Sequence, residues 1–495
     1  MATVVFAALI ILSLALALAS KGGHHPNNAK DFFIASRQFG SWLVFFLVVG
    51  EVYSIGTIIG FPGGIYAKGG TYGVWFLGYI LLAYPVGYFL NPWIWRAGKR
   101  YDAVTLPDVF KGHFAGQYGR RALELTATIT AITFLVPWGQ IQFGGIIVAL
   151  HGLGWDIHAG TLAGVAAILA FCYVAISGIR APAYVAILKD TLMMAAIVIT
   201  GVAAISAVGG VSPIFEAAKA ASNNHLDQQE LRFTMSTIAF QALGFWLLPF
   251  NIQGIFTARS EQTVRRTQMI MPLYMLMFPF LVITAYYALD HHVVGGGEAN
   301  NAFIAAAVQL LPGWAIGIVA AGASLSGLLV LAGISLAIGP LVSRNLFSHI
   351  PEQKQRGITK IVVFCYLLAS IALTLFAPTL LLTVNNTAFF GMTQFFPGVL
   401  CVLFFKRANP IAIAVGMVVA DVLCITFYVM QTPLYGINIG LVGLIVNICI
   451  VAIGSLVALI LKGEMSNPIP VAYQPTKALQ RLKIADDGAV GEPAQ

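Results

Sequence analysis

Apolar runs of bilayer length recur from one end of the chain to the other, separated by short polar segments that hold most of the charge. A helix needs about 20 residues to cross a hydrocarbon core. Runs of that order fall near residues 3–20, 41–66, 72–95, 121–150, 158–178, 182–208, 234–257, 268–290, 314–341, 358–377, 380–404, 410–430 and 437–461. The pattern predicts an all-α membrane protein of about thirteen transmembrane helices. The composition agrees, with 59% hydrophobic and 9% charged residues, where a soluble domain carries about 25% charged. Val4 to Leu18 follows no basic segment and precedes no small-residue cleavage site, so the first run is expected to stay as a helix rather than be removed as a signal peptide.

The net charge of +8 would suit a nucleic-acid partner if it were clustered, but its distribution follows membrane topology. With the N-terminus outside, the inside segments hold 23 Lys and Arg residues and the outside segments hold three, Lys68, Lys219 and Arg232. Lys189 is the cation left within a span. This bias predicts an N-out, C-in arrangement, and one missed helix would scramble it. The tail from Lys462 is expected to be a short cytoplasmic extension without a core. The five cysteines, Cys172, Cys365, Cys401, Cys424 and Cys449, sit in apolar runs without a pairing or metal-ligand spacing. No Walker sequence, nucleophile elbow or HExxH is present, so no enzyme constellation is indicated. Energy for any vectorial work has to come from a gradient.

Two spans are interrupted. Ser41 to Tyr66 carries Glu51 beside Gly50, Tyr53, Ser54 and Gly56, with Pro62, Gly63 and Gly64 beyond. The seventh span is interrupted around Gly244 to Gly254 by Pro249, with Asn251 and Gln253. Freed backbone groups at such breaks must face protein, ligand or ion rather than lipid. Paired interruptions in two halves of a chain point to a transport site at the midplane. They lie five spans apart, so the second half would be inverted relative to the first. The expected organisation is a first helix and linker (1–40), two five-helix repeats (41–208 and 209–404), two peripheral helices (405–461) and the tail (462–495).

Candidate side chains follow from cost. A carboxylate in mid-span is expensive, so Glu51 reads either as a proton or cation site or as a structural partner of the broken backbone. Lys189 and Asp190 are adjacent and point about 100° apart on a helix, so each is expected to need its own partner; the alternative for Lys189 is snorkelling to the surface near Arg180. Trp138 and Gln142 share a helix face and form either a solute wall or a helix contact. Asn251 and Gln253, with the amides from Tyr53 to Gly56, complete the expected solute set. Ser324, Ser326 and Ser335 lie in a small-residue span suited to packing. Asp421 is expected to be structural, and Asn385-Asn386-Thr387 matches a glycosylation sequon only formally.

The stretches DFFIASRQFGSW, GFPGGIYAKGG and AVTLPDVFKGHF resemble the sodium:solute symporter family, in which DFFLAGR and TLPDYF segments recur at this spacing. The resemblance extends from the first span to about residue 430. It implies a leucine-transporter-type fold of 5+5 inverted repeats, with one helix before the core and two after. GEVYSIGT, SGIRAPAYVAILKDT, LLPFNIQGIFTARSEQTVRR and SRNLF resemble the bacterial monocarboxylate permease branch, which implies import of lactate, pyruvate or a similar acid across the bacterial cytoplasmic membrane.

Sodium-coupled members have a Ser/Thr pair in the ninth span that joins carbonyls of the first broken helix around Na⁺. By position that pair falls here on Leu329 and Val330, and the carbonyls map to Gly50 and Tyr53. What is left is a degenerate sodium site near Gly50, Tyr53, Ser326, Leu329 and Val330. The position before the sixth-span aspartate, typically Thr, is Lys189. An ammonium replacing the sodium ion makes H⁺ the expected coupling ion over Na⁺, with Glu51, Lys189 and Asp190 as coupling residues and no cofactor. The alternatives are a Na⁺-coupled amino-acid or other solute symporter and, in another class, a transporter-like membrane sensor. The oligomeric state is not encoded in these patterns.

Overall fold

The computed structural model describes residues 1–21, 29–221, 227–294, 298–462 and 468–473. Lys477, Arg481 and Lys483, counted in the charge bias, lie outside the described residues, as does most of the predicted tail. Among the described residues, ten helices are long and apolar enough to cross a membrane as single elements. Three further pairs cross as bent units: Ser41–Val52 with Gly56–Lys68 at 41°, Gln228–Leu247 with Pro249–Thr257 at 49°, and Leu381–Met392 with Phe395–Phe404 at 43°. Counting each pair once gives up to thirteen spans. Extended pairing among the described residues is limited to one isolated bridge between Phe39 and Ala258.

The third bend corrects the sequence pattern, which predicts a straight span over 380–404. Gly391 lies where a Cβ would meet the Phe134 ring at 2.0 Å. Pro397 falls in the first turn of the next helix, where its missing N–H costs nothing. The first break falls in the expected stretch from Gly50 to Gly56: the interruption is at Tyr53 and Ser54, ahead of a wider turn over Gly56–Gly60, and Pro62, Gly63 and Gly64 lie inside the Phe61–Lys68 helix.

The helix Gly313–Pro340 is buried along almost its whole length and packs against Arg120–His151, Arg180–Ala207 and Ala2–Ala19. Its small residues set how near those neighbours come. A Cβ at Gly322 would meet the Leu192 carbonyl at 3.1 Å, and one at Gly327 would meet the Ile146 side chain at 2.7 Å. Among the three serines, Ser326 donates to Gly322 O on its own helix at 2.7 Å.

At the end rich in Lys and Arg, the short helix Leu106–His113 is capped by a reciprocal Thr105 and Asp108 pair. Asn345 donates to Asp108 Oδ1 at 2.8 Å and to Glu124 Oε1 at 3.3 Å, and Arg344 pairs with Asp108 at 2.9 Å. Arg121 and Lys111 close on Glu124 at 2.8 and 3.2 Å. This network ties the C-terminal end of the central helix to the start of Arg120–His151.

His113 is buried beneath the network, with Nδ1 2.8 Å from the Tyr101 hydroxyl. Burial, with a smaller contribution from Arg100, holds it down to about 4. The folded ring therefore stays neutral while an unfolded one gains a proton near pH 6.5. Stability is expected to be full above pH 6.5 and to fall as pH drops toward 4, by up to about 3 kcal/mol. Thermal melts of wild type and His113→Phe in detergent check this: the two should converge as pH falls from 7 to 5, and a constant difference refutes the assignment.

Candidate functional site

The first broken helix gives up its regular bonding after Val52, where Tyr53 adopts φ −95° and ψ 85°. Carbonyls one turn back then lack their usual helical donors. Lys189, fully buried on the helix Arg180–Ala207, supplies them: its Nζ donates to Gly50 O at 2.9 Å, Tyr53 O at 2.6 Å and Asp190 Oδ1 at 2.8 Å. An ammonium has three donors, and all three are satisfied. Gly50 permits the approach, since a Cβ there would lie 3.1 Å from Leu329 Cδ2 and 3.5 Å from Ala186 Cβ.

Two expectations are corrected here. The long lysine chain folds back onto Asp190, so adjacency does not prevent pairing, and snorkelling is excluded by complete burial. Of the amides from Tyr53 to Gly56 expected to receive an anion, two are engaged: Tyr53 N donates to Val49 O at 2.8 Å and Gly56 N to Ser54 Oγ at 3.2 Å. Leu329 and Val330 are buried and contribute only hydrocarbon, while Ser326 is bonded within its own helix. The oxygen cage around the ammonium is thus two carbonyls and one carboxylate. Asp190 Oδ2 has no partner among the described residues.

Glu51 is 3% exposed and neither carboxyl oxygen has a hydrogen-bond partner among the described residues. It fills a slot between the second broken helix and the central helix. A Cβ at Gly333 would meet Oε1 at 2.6 Å, and one at Gly254 would meet Oε2 at 3.5 Å. An ionised carboxylate without donors in such a slot would be very costly.

The expected solute residues divide. Trp138 packs edge-on against Phe250 at 5.7 Å and Phe389 at 5.6 Å, which joins it to the second and third broken spans. Gln142 uses Nε2 on Trp138 O at 3.2 Å, and neither Trp138 Nε1 nor Gln142 Oε1 has a partner among the described residues. Asn251, next to Phe250, caps the second break by donating to Phe245 O at 2.8 Å, with Oδ1 unpartnered. Gln253 instead faces Leu336 O at 3.0 Å and a small crevice shared with Thr105 and Leu341. The Tyr53 ring turns toward Tyr84, whose hydroxyl it meets, and stacks on Tyr274 at 5.4 Å. Ser54 is engaged by Gly56. Trp138 and Gln142 are therefore brought together, Asn251 is held at the second break, and Gln253, Tyr53 and Ser54 face other partners.

Sequence reasoning passed over a polar cluster at the third broken span. Asn386 Oδ1 accepts from Gln241 Nε2 at 2.9 Å and from Asn438 Nδ2 at 3.0 Å, while Asn438 also donates to Thr237 at 2.7 Å. The Asn-Asn-Thr run was the available signal. Asp421 accepts from Thr130 Oγ1 at 2.5 Å. Arg180 pairs with Asp31 at 2.8 Å and reaches Gln38 at 3.1 Å, anchoring the linker before the first broken helix.

Two interrupted helices packed on a central small-residue helix, with unpartnered polar groups at the breaks, define a solute transporter of the broken-helix class. The sodium:solute symporter family model matches residues 32–420, and the chain belongs to that family. A monocarboxylate transport permease protein of Rhizobium johnstonii is 29% identical over 369 residues, covering 70% of this chain and 72% of the relative. The uncharacterized symporter YhjB of Bacillus subtilis is 25% identical, covering 92% of this chain and 96% of the relative. A solved structure of a Na⁺-coupled sialic acid symporter in a substrate-bound outward-open state superposes with a TM-score of 0.75 at 14% identity, covering 92% of this chain and 98% of that one. That likeness establishes the leucine-transporter-type fold.

Proposed function

We propose that the protein imports a short monocarboxylate by alternating access without sodium, using the ammonium of Lys189 as a fixed cation and Glu51 as the proton carrier. The observation that carries this reading is the saturation of Lys189 by Gly50 O, Tyr53 O and Asp190. The ammonium stands where the family resemblance assigns a sodium ion, and the hydroxyl pair that would complete an ion cage is replaced by Leu329 and Val330. A neutral Glu51 also removes the repulsion that a carboxylate substrate would meet. Trp138 Nε1 is a free donor for such an anion, and the named monocarboxylate permease supports the solute class. The charge bias supports an outside N-terminus.

The test is uptake of labelled lactate, pyruvate and a panel of amino acids into proteoliposomes, with Na⁺ and pH gradients imposed separately. Accumulation of a short acid should follow an inward proton gradient in sodium-free buffer. Uptake that requires Na⁺ at constant pH and membrane potential would overturn the proposal.

A further inference from the structure

A groove of about 370 Å³ runs between the helices Phe395–Phe404 and Ile439–Lys462 on the side of the bundle. Its floor is the buried Cys401, Val451 and Ser455, and its rim carries the exposed Ile448, Leu456 and Phe405. Small side chains at Cys401, Ala452 and Ser455 leave the space that a leucine or phenylalanine would fill. Ser455 Oγ already accepts from Asn409 N at 3.1 Å, so the hydroxyl on the floor is engaged. The interior is therefore a slot for hydrocarbon.

Its length and its charge say which hydrocarbon. The wall from Ile448 to Leu459 is about 17 Å long at the helical rise, and half of a hydrocarbon core is about 15 Å. Ile448 lies near the middle of its span and Leu459 within a turn of its end at Lys462, so the groove is one leaflet deep. It ends at Arg407, which is exposed and has no ion-pair or hydrogen-bond partner among the described residues. Lys406 stands beside it, with Nζ 5.1 Å from the Tyr473 ring centroid. No acidic side chain is among the lining residues. A lipid chain that enters the groove exchanges one apolar surrounding for another, so burial alone selects no lipid. The selection falls to the headgroup, and basic residues at a membrane surface attract anionic ones.

We propose that this groove binds one anionic phospholipid, with an acyl chain between Phe395–Phe404 and Ile439–Lys462 and the phosphate paired with Arg407. The site is independent of the solute and the coupling ion proposed above. A lipid held there packs on one half of the third broken span, whose other half carries Phe389 against Trp138.

The full-length protein, delipidated in detergent, is titrated with phosphatidylglycerol or with phosphatidylcholine of the same chains. Native mass spectrometry counts bound lipid per chain for wild type, Arg407→Gln and Ala452→Phe. Wild type should retain one phosphatidylglycerol in preference to phosphatidylcholine. Arg407→Gln should reduce that preference about fivefold, the order for one basic residue at a membrane surface. Ala452→Phe, which puts a ring into the groove, should weaken binding of both lipids. Phosphatidylglycerol with a photoreactive acyl chain locates the site in wild type, where crosslinks should fall within 397–407 and 448–459. Equal retention of the two lipids by wild type, an unchanged preference in Arg407→Gln, or crosslinks confined to other segments overturns the proposal. So does a lipid-free dimer that Ala452→Phe converts to monomers, which would make this face a contact between copies of the chain. Thermal melts report whether the variants fold, and if either does not, the wild-type preference and crosslink map decide.

Discussion

Lys189→Ala is expected to abolish concentrative uptake and to destabilise the protein more than any other single change at the site. The substitution leaves Gly50 O, Tyr53 O and Asp190 Oδ1 in a sealed, water-free position without donors. Removing one member of a buried ion pair costs about 3–5 kcal/mol, most of it from the charge left behind. Asp190 then carries that charge, so Lys189→Ala with Asp190→Asn should recover much of the thermal stability. It should not recover coupling, because no fixed cation remains between the broken helix and its neighbour. Uptake of a short acid at several imposed pH gradients separates the two effects: the double variant should be folded and show no dependence on the gradient. A stable variant that still accumulates solute with the wild-type pH dependence would leave the lysine a purely structural residue. Lys189→Arg is expected to fail as well, since a planar guanidinium cannot direct its donors at the three acceptors that a compact ammonium reaches.

Glu51→Gln should leave exchange largely intact while reducing proton-driven accumulation at least tenfold. The amide has nearly the shape of the carboxyl and fits the slot formed by Gly254 and Gly333, but it does not titrate. Counterflow, which needs the helices to reorient but needs no net proton movement, is the control that shows the variant folds and cycles. If Glu51→Gln still accumulates solute against a gradient, the proton is carried elsewhere, and Asp190, with its unpartnered Oδ2, becomes the next carboxyl to examine. Glu51→Ala is less informative, because it leaves a void between two glycines and changes packing along with charge.

The membrane class, the helical architecture and two of the three broken spans were legible in the sequence because they are properties of contiguous residues. Length of apolar run and the placement of glycine and proline act locally. The pairs of groups that make the site are set by distance in space. Gly50 and Lys189 are 139 positions apart, and nothing local fixes that contact; the family resemblance pointed to it. The fold-back of Lys189 onto Asp190 defied the simple expectation from helical geometry, since that expectation places Cβ atoms and a lysine chain is long enough to override them.

The remaining misses have the same origin. The bend between Met392 and Phe395 was hidden because Gly391 and Pro397 flank an otherwise apolar run, and only the Phe134 ring pressed against Gly391 shows why a side chain is excluded there. The amides at Tyr53 and Gly56 were expected to be open because the helix is broken, but backbone and hydroxyl partners a few residues away occupy them. Contiguous residues were enough to set the many bilayer crossings, the interruption of two helices and the presence of a lysine and two carboxyls within apolar spans. Contacts across the bundle settled which oxygen atoms answer the lysine and that no described residue hydrogen-bonds Glu51. Those outcomes depend on how closely helices remote in sequence approach, and that approach is set by glycines whose neighbours the sequence does not name.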